Sequence, residues 1–119
     1  MIRATLLGVV ALVLLTSAAA AQQTTPAGGP FRAEAEPDPL GRRGPAVVGW
    51  LYNDGTEAVT NVRVRVEVLD GGGQAVARGE AYLYGNVPAR GRGYFFVPVP
   101  RYGQSYRVTV IRFDRLEMQ

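Results

Sequence analysis

From residue 47 onward the chain alternates between short apolar runs and clusters of turn residues. The clearest run is Val62-Arg63-Val64-Arg65-Val66-Glu67-Val68, four Val alternating with three charges. A period of two places the Val on one face of a strand and the charges on the other. A helix would scatter the same Val around its circumference. Val47-Val48-Gly49-Trp50-Leu51-Tyr52 is aromatic and β-branched and closes in the turn residues Asn53-Asp54-Gly55. Ala75 to Tyr84 is extended but interrupted by Gly79, which predicts two short strands or a bulge. Tyr94 to Val99 is a strand whose Pro98 belongs at an edge or a strand end. Tyr106 to Phe113 sets Val108 and Val110 on one face and Ile111 and Phe113 on the other, so a bulge or two buried faces are expected. Phe31 to Glu36 alternates as an edge strand would. Pro37–Pro45, Asp70–Gly73, Asn86–Gly91 and Arg101–Gln104 are loops or turns. No segment after residue 21 has a helical period. The pattern predicts an all-β domain, a small antiparallel sandwich of six to seven strands, with a small barrel as the alternative.

The first residues follow a different logic. Met1-Ile2-Arg3 is a short basic start, Ala4 to Leu15 is almost wholly apolar, and Thr16 to Ala21 are small. Gln22 then turns polar. This is the layout of a secretory signal with an Ala-x-Ala site at Ala19-Ala20-Ala21. The apolar stretch is shorter than the about 20 residues a spanning helix needs. The expected organisation is a signal peptide over 1–21, a flexible Gly/Pro-bearing leader over 22–30 and one β domain over 31–119. The product is expected in the periplasm or outside the cell, with no transmembrane segment after cleavage.

Composition narrows the chemistry. Cys and His are absent from the 119 residues. That removes disulfides, Ser-His and Cys-His dyads and the usual zinc sites. Every basic residue is Arg, so Schiff-base and phosphate-loop lysine chemistry are also excluded. Without Arg3 the 13 basic residues become 12 against 10 acids, a net of +2, too weak a field to predict a nucleic-acid partner. Ala89-Arg90-Gly91-Arg92-Gly93-Tyr94 is one short arginine-glycine stretch, read as a loop entering a strand. Ser105, the only serine after residue 21, reads as a turn residue. Asn53-Asp54-Gly55-Thr56-Glu57 lacks the repeated acidic ligands of a calcium loop. No cofactor and no metal are expected.

Val47-x-Gly49-x-Leu51-x-Asn53, Val62-x-Val64-x-Val66, Asp70 with Gly73, Val87-Pro88-Ala89 leading to Phe95 and Val97, and Tyr106 to Val110 with Phe113-Asp114 occur in that order. Over roughly residues 46–115 this resembles the FxLYD family of bacterial envelope domains, and shares features with adhesion-type CARDB domains. The resemblance implies an immunoglobulin-like β-sandwich and a non-enzymatic interaction module, with no catalytic set to transfer. Gly49 would then face inward where the sheets approach, and Asn53 would bond its own turn.

Two functions follow as expectations. One is an exported envelope module that binds a protein or a cell-envelope polymer. The alternative is a small glycan hydrolase using carboxylates among Asp54, Glu57, Glu67, Asp70 and Glu80. For the binding module the candidate surface is Val48, Trp50 and Tyr52. If Val47, Gly49, Leu51 and Asn53 face inward, these three face outward. Against this stand two other outcomes: the leader or the Phe31–Glu36 strand covers them, or the two faces are reversed.

Overall fold

The computed structural model describes residues 24–116; the expected signal sequence and its cleavage site lie outside the described residues. The described residues form seven strands: β1 (Thr25–Pro26), β2 (Phe31–Pro37), β3 (Ala46–Asn53), β4 (Val59–Leu69), β5 (Ala75–Tyr82), β6 (Arg92–Pro98) and β7 (Ser105–Arg115). They build two antiparallel sheets, ordered β1-β2-β3-β6 and β5-β4-β7. The fold is a small all-β sandwich, as the alternation predicts. The chain crosses between sheets after β3, β5 and β6, which leaves β2 and β3 as the inner strands of one sheet and β4 as the central strand of the other.

The core lies between the sheets. Val62, Val64, Val66 and Val68 of β4 are fully buried and meet Val47 and Leu51 of β3, Phe95 and Val97 of β6 and Phe31 of β2. Burying each such side chain is worth roughly 1.5–3 kcal/mol, the main favourable term in a domain without disulfides. Arg63, Arg65 and Glu67 are half-buried on the opposite face, as the strict alternation requires.

Several local readings are sharpened. Ala75–Tyr82 is one strand, not two; a register shift falls at Val68/Leu69. Gly79 is there because a Cβ would lie 2.1 Å from the Pro98 carbonyl oxygen, where the edges of the two sheets meet. Gly49 also faces inward, but its space is taken by a neighbouring strand and not by the facing sheet. A Cβ there would meet the Glu34 carbonyl oxygen at 1.7 Å and the Phe95 ring at 3.1 Å. Pro98 ends β6, an edge strand, as expected. The change of face in β7 is a bulge. The register skips Ile111 between Val110 and Arg112, leaving Ile111 exposed and returning Phe113 to the core. There Phe113 meets Phe31 edge-on at 5.1 Å.

The segment expected as a flexible leader contributes structure. Thr25–Pro26 pairs with β2, Ala27 is 2% exposed, and its carbonyl accepts the Val110 N–H at 2.9 Å. The Val110 N–H of β7 thereby finds a partner beyond β4.

Candidate functional site: the outer face of the four-stranded sheet

Pairing of β2, β3 and β6 sets three cross-strand rows on the face turned away from the core. They are Arg32–Tyr52–Arg92, Glu34–Trp50–Tyr94 and Glu36–Val48–Phe96. Directly paired residues point the same way, so four aromatic rings converge on one surface. Trp50 and Tyr94 stack edge to face, with centroids 5.3 Å apart at 74°. The Arg92 guanidinium lies over the Trp50 ring at 3.9 Å, and Arg43, from the loop between β2 and β3, lies over Phe96 at 3.9 Å. Arg32 sits 4.8 Å from the Tyr52 centroid. The Tyr52 hydroxyl donates to Glu34 Oε1 at 3.0 Å.

Arg32 is fixed at one end of this face. Its Nε and Nη2 donate to both oxygens of Asp54, the Nη2 contact at 3.0 Å, and Nη1 donates to Thr24 Oγ1 at 3.1 Å. The hydrogen bond from Arg32 holds the Asp54 carboxyl below its ordinary range. Arg32, Arg43 and Arg92 balance Glu34, Glu36 and Asp54, so the face is charged but neutral overall.

The strand parity is as expected: Val47, Gly49, Leu51 and Asn53 are buried toward the core, and Val48, Trp50 and Tyr52 take the other face. The exposure differs. Val48 is only 2% exposed, a short side chain between Glu36 and Phe96 beside the Arg43 stack. Trp50 and Tyr52 are half-buried, because Arg92 and Arg32 lie over their rings. The β2 strand thus covers Tyr52 in part. Val48 therefore leaves the candidate contact set. Tyr94, 49% exposed, enters it with Phe96, Arg92, Arg32 and Arg43. The sequence held one signal for this addition: alternation within Tyr94-Phe95-Phe96 sends Tyr94 and Phe96 to the same face.

Comparison with protein-family models, curated proteins and solved structures returns no match to this chain.

Asn53 anchors the end of β3. It is fully buried, donates from Nδ2 to the carbonyls of Glu57 (2.9 Å) and Pro88 (3.2 Å), and accepts the Gly55 N–H at 2.9 Å. Its amide ties two loops to the strand that carries Trp50, so the aromatic face rests on a satisfied polar joint.

The carboxylates considered for hydrolysis are dispersed. Asp54 is paired with Arg32, Glu57 with Arg115 (3.1 Å) and Glu67 with Arg107 (3.0 Å). Glu80 accepts from Arg63 and Arg65. Asp70 Oδ1 accepts the Gly72 and Gln74 N–H groups at 2.9 Å, shaping the β4–β5 turn. Hydrogen bonds from Arg65 and then Arg63 hold Glu80 below its ordinary range, whereas a general acid needs a raised pKa. A recess of about 200 Å³ beside Asn53 has Glu57 as its only carboxylate, and that one is paired with Arg115. Among the described residues no group of three or more His, Cys, Asp and Glu could hold a metal ion. No helix among them is long and apolar enough to cross a membrane.

Proposed function

We propose that this chain is a non-enzymatic, exported envelope module of the FxLYD type that binds its partner through the outer face of β2, β3 and β6. The observation that carries the reading is the Trp50–Tyr94 pair with Arg92 laid on Trp50. Trp, Tyr and Arg are the side chains that dominate binding energy where proteins meet. Here they lie on β3 and the edge strand β6, with Glu34 and Glu36 on the other side of β3. Rigid strands hold the rings, so little ordering cost remains for binding.

The covering arginines bear on the partner. A guanidinium over an exposed ring is worth about 0.5–1 kcal/mol, which a carboxylate-bearing partner can outbid by drawing the arginine to itself. A bare ring would suit sugar stacking. A ring capped by Arg92 better suits a protein surface that offers both apolar contact and acid groups. The ion pairs of Asp54, Glu57, Glu67 and Glu80 and the turn hydrogen bonds of Asp70 favour this binding reading over glycan hydrolysis.

Trp50 is the only tryptophan and reports directly on the face. Titration with proteins fractionated from the native envelope should shift its emission. Tyr94→Ala and Arg92→Ala should weaken that binding while the melting temperature stays within a few degrees of wild type. Binding that persists unchanged in both variants would remove this face from the function.

A further inference from the structure

The opposite outer face, on the β5-β4-β7 sheet, carries a different pattern. Register pairing sets Arg78–Glu67–Arg107 in one row, Glu80–Arg65–Thr109 in the next and Tyr82–Arg63–Arg112 in the third. A fourth row sets Thr60 beside Asp114, so five arginines meet three acids, an excess of two positive charges on one sheet face. That equals the whole +2 of the chain without its first 21 residues, whereas the aromatic face is neutral. The basic character of the domain is therefore gathered on one side.

Stability alone does not account for this arrangement. Arg63 pairs directly with Arg112, and like charges directly opposite each other in a sheet are destabilising. Arg63 and Arg65 share the single carboxylate of Glu80, at 3.1 and 2.8 Å. Glu67 is taken by Arg107 at 3.0 Å. Among the described residues Arg78 and Arg112 have no ion-pair partner.

We propose that this face binds a linear acidic polysaccharide. The site is separate from the aromatic face and goes beyond the function proposed for it. The arginines stand on a grid of about 5 Å across strands and about 7 Å along them, interrupted in β7 by the bulge at Ile111. A polymer with regularly repeated carboxylates can lie across such a grid and satisfy several guanidiniums at once, bidentately where it meets them edge-on. Such a partner would also relieve the Arg63–Arg112 opposition. The face has no row of bare aromatic rings for nucleobases, since its one ring, Tyr82, has the Arg63 guanidinium 4.9 Å from its centroid. Its exposed apolar side chains, Tyr82 and Ile111, each stand next to an arginine, Arg63 and Arg112, and are too few to make the broad apolar face that inserts into a lipid surface. Two opposed faces would then let one small domain join a polymer to a protein.

The test uses polygalacturonate as the acidic polymer and dextran as the neutral one. The protein should bind the first and ignore the second, with affinity falling as NaCl rises. Trp50 emission should stay unchanged, because Trp50 lies on the other sheet. Arg78→Glu with Arg112→Glu should weaken binding at least about tenfold. Arg42→Glu with Arg101→Glu, which changes net charge equally but lies off the face, should stay within about twofold. If the first pair lowers the melting temperature, Arg78→Gln with Arg112→Gln takes its place. Equal loss in both pairs, equal binding to dextran, a shift in Trp50 emission, or tighter binding to anionic vesicles or to single-stranded DNA than to polygalacturonate would each overturn the proposal. So would a failure to bind polygalacturonate at low salt. None of these bears on the aromatic face, whose own test reads Trp50 and a protein partner.

Discussion

β3 and β4 hold similar places in the fold, each an inner strand of its sheet flanked on both sides, yet they are written differently. β4 alternates Val with charge, and its two faces separate into a dry core and a salted surface. β3 is apolar on both faces. Inward it carries Val47, Leu51 and a buried Asn53, and outward Val48, Trp50 and Tyr52. The outward residues of β4 find opposite charges on adjoining strands. The outward rings of β3, Trp50 and Tyr52, find the arginines Arg92 and Arg32 placed over them. The lesson is that one cation type can serve two surfaces. Against carboxylates it makes a grid that attracts further anions; against rings it makes a removable cover. An apolar outer face on a central strand is a stability cost unless covered, so β3 is where a partner can add most.

The comparison breaks first at the inward positions. Val64→Asp would bury an unpaired charge in the centre of the core, and the domain should lose its cooperative melting transition. Val64→Ala should cost about 1–3 kcal/mol from lost burial and the cavity left behind. In β3 the matching test is Gly49→Ala. Its Cβ would collide with the Glu34 carbonyl oxygen, a backbone atom that cannot swing aside, so β2 must shift. A loss of about 1–3 kcal/mol is expected in chemical denaturation, as for an overpacked core. If Gly49→Ala melts like wild type, β2 does not press against β3 as described here.

What the sequence made legible follows the same division. β4 could be read from Val62 to Val68, where a faultless period of two fixes the faces; its start at Val59 and the register shifts between Thr60 and Val64 gave no such signal. The Asp70 turn was legible too, because Asp before glycines offers its carboxylate to nearby N–H groups. The bulge in β7 was visible as a change of face, but not its resolution. Whether Ile111 or Phe113 returns to the core depends on Phe31, about eighty positions away. Ala27 was missed because a single small residue in a polar segment gives no pattern. For the site, parity alone placed Trp50 and Tyr52 outward. Their covering was not legible, since it depends on β2 and β6 flanking β3 and on their register. Arg92 is 42 positions from Trp50 in the chain, and no local rule brings them together.

The smallest expected effect is the response to pH, and it sets the two surfaces side by side. Glu80 beside β4 and Asp54 at the end of β3 are both held below the ordinary carboxylate range, Glu80 by hydrogen bonds from Arg65 and Arg63, Asp54 by the hydrogen bond from Arg32. A carboxylate whose folded pKa is depressed stabilises the fold above its unfolded pKa, and that contribution is lost as pH falls through the folded value. Both contributions are therefore complete at neutral pH and fade only in acid, below about pH 4. The chain has no His and no Cys to titrate between. The melting temperature should thus be nearly flat from about pH 5.5 to pH 7.5 and decline in acid. The Arg32–Asp54 pair is exposed and the Glu80 cluster half-buried, so 1 M NaCl should shrink the part of the decline they cause, more for Asp54 than for Glu80. Glu80→Gln should flatten the acid limb by removing the shared acceptor of Arg63 and Arg65, at a small loss of stability at neutral pH. Asp54→Asn should do the same for the Arg32 pair. An acid limb of unchanged slope in both variants would mean that these ion pairs are geometric neighbours without energetic weight. The Arg63–Arg65–Glu80 cluster would then owe its place on the β4 surface to something other than folding.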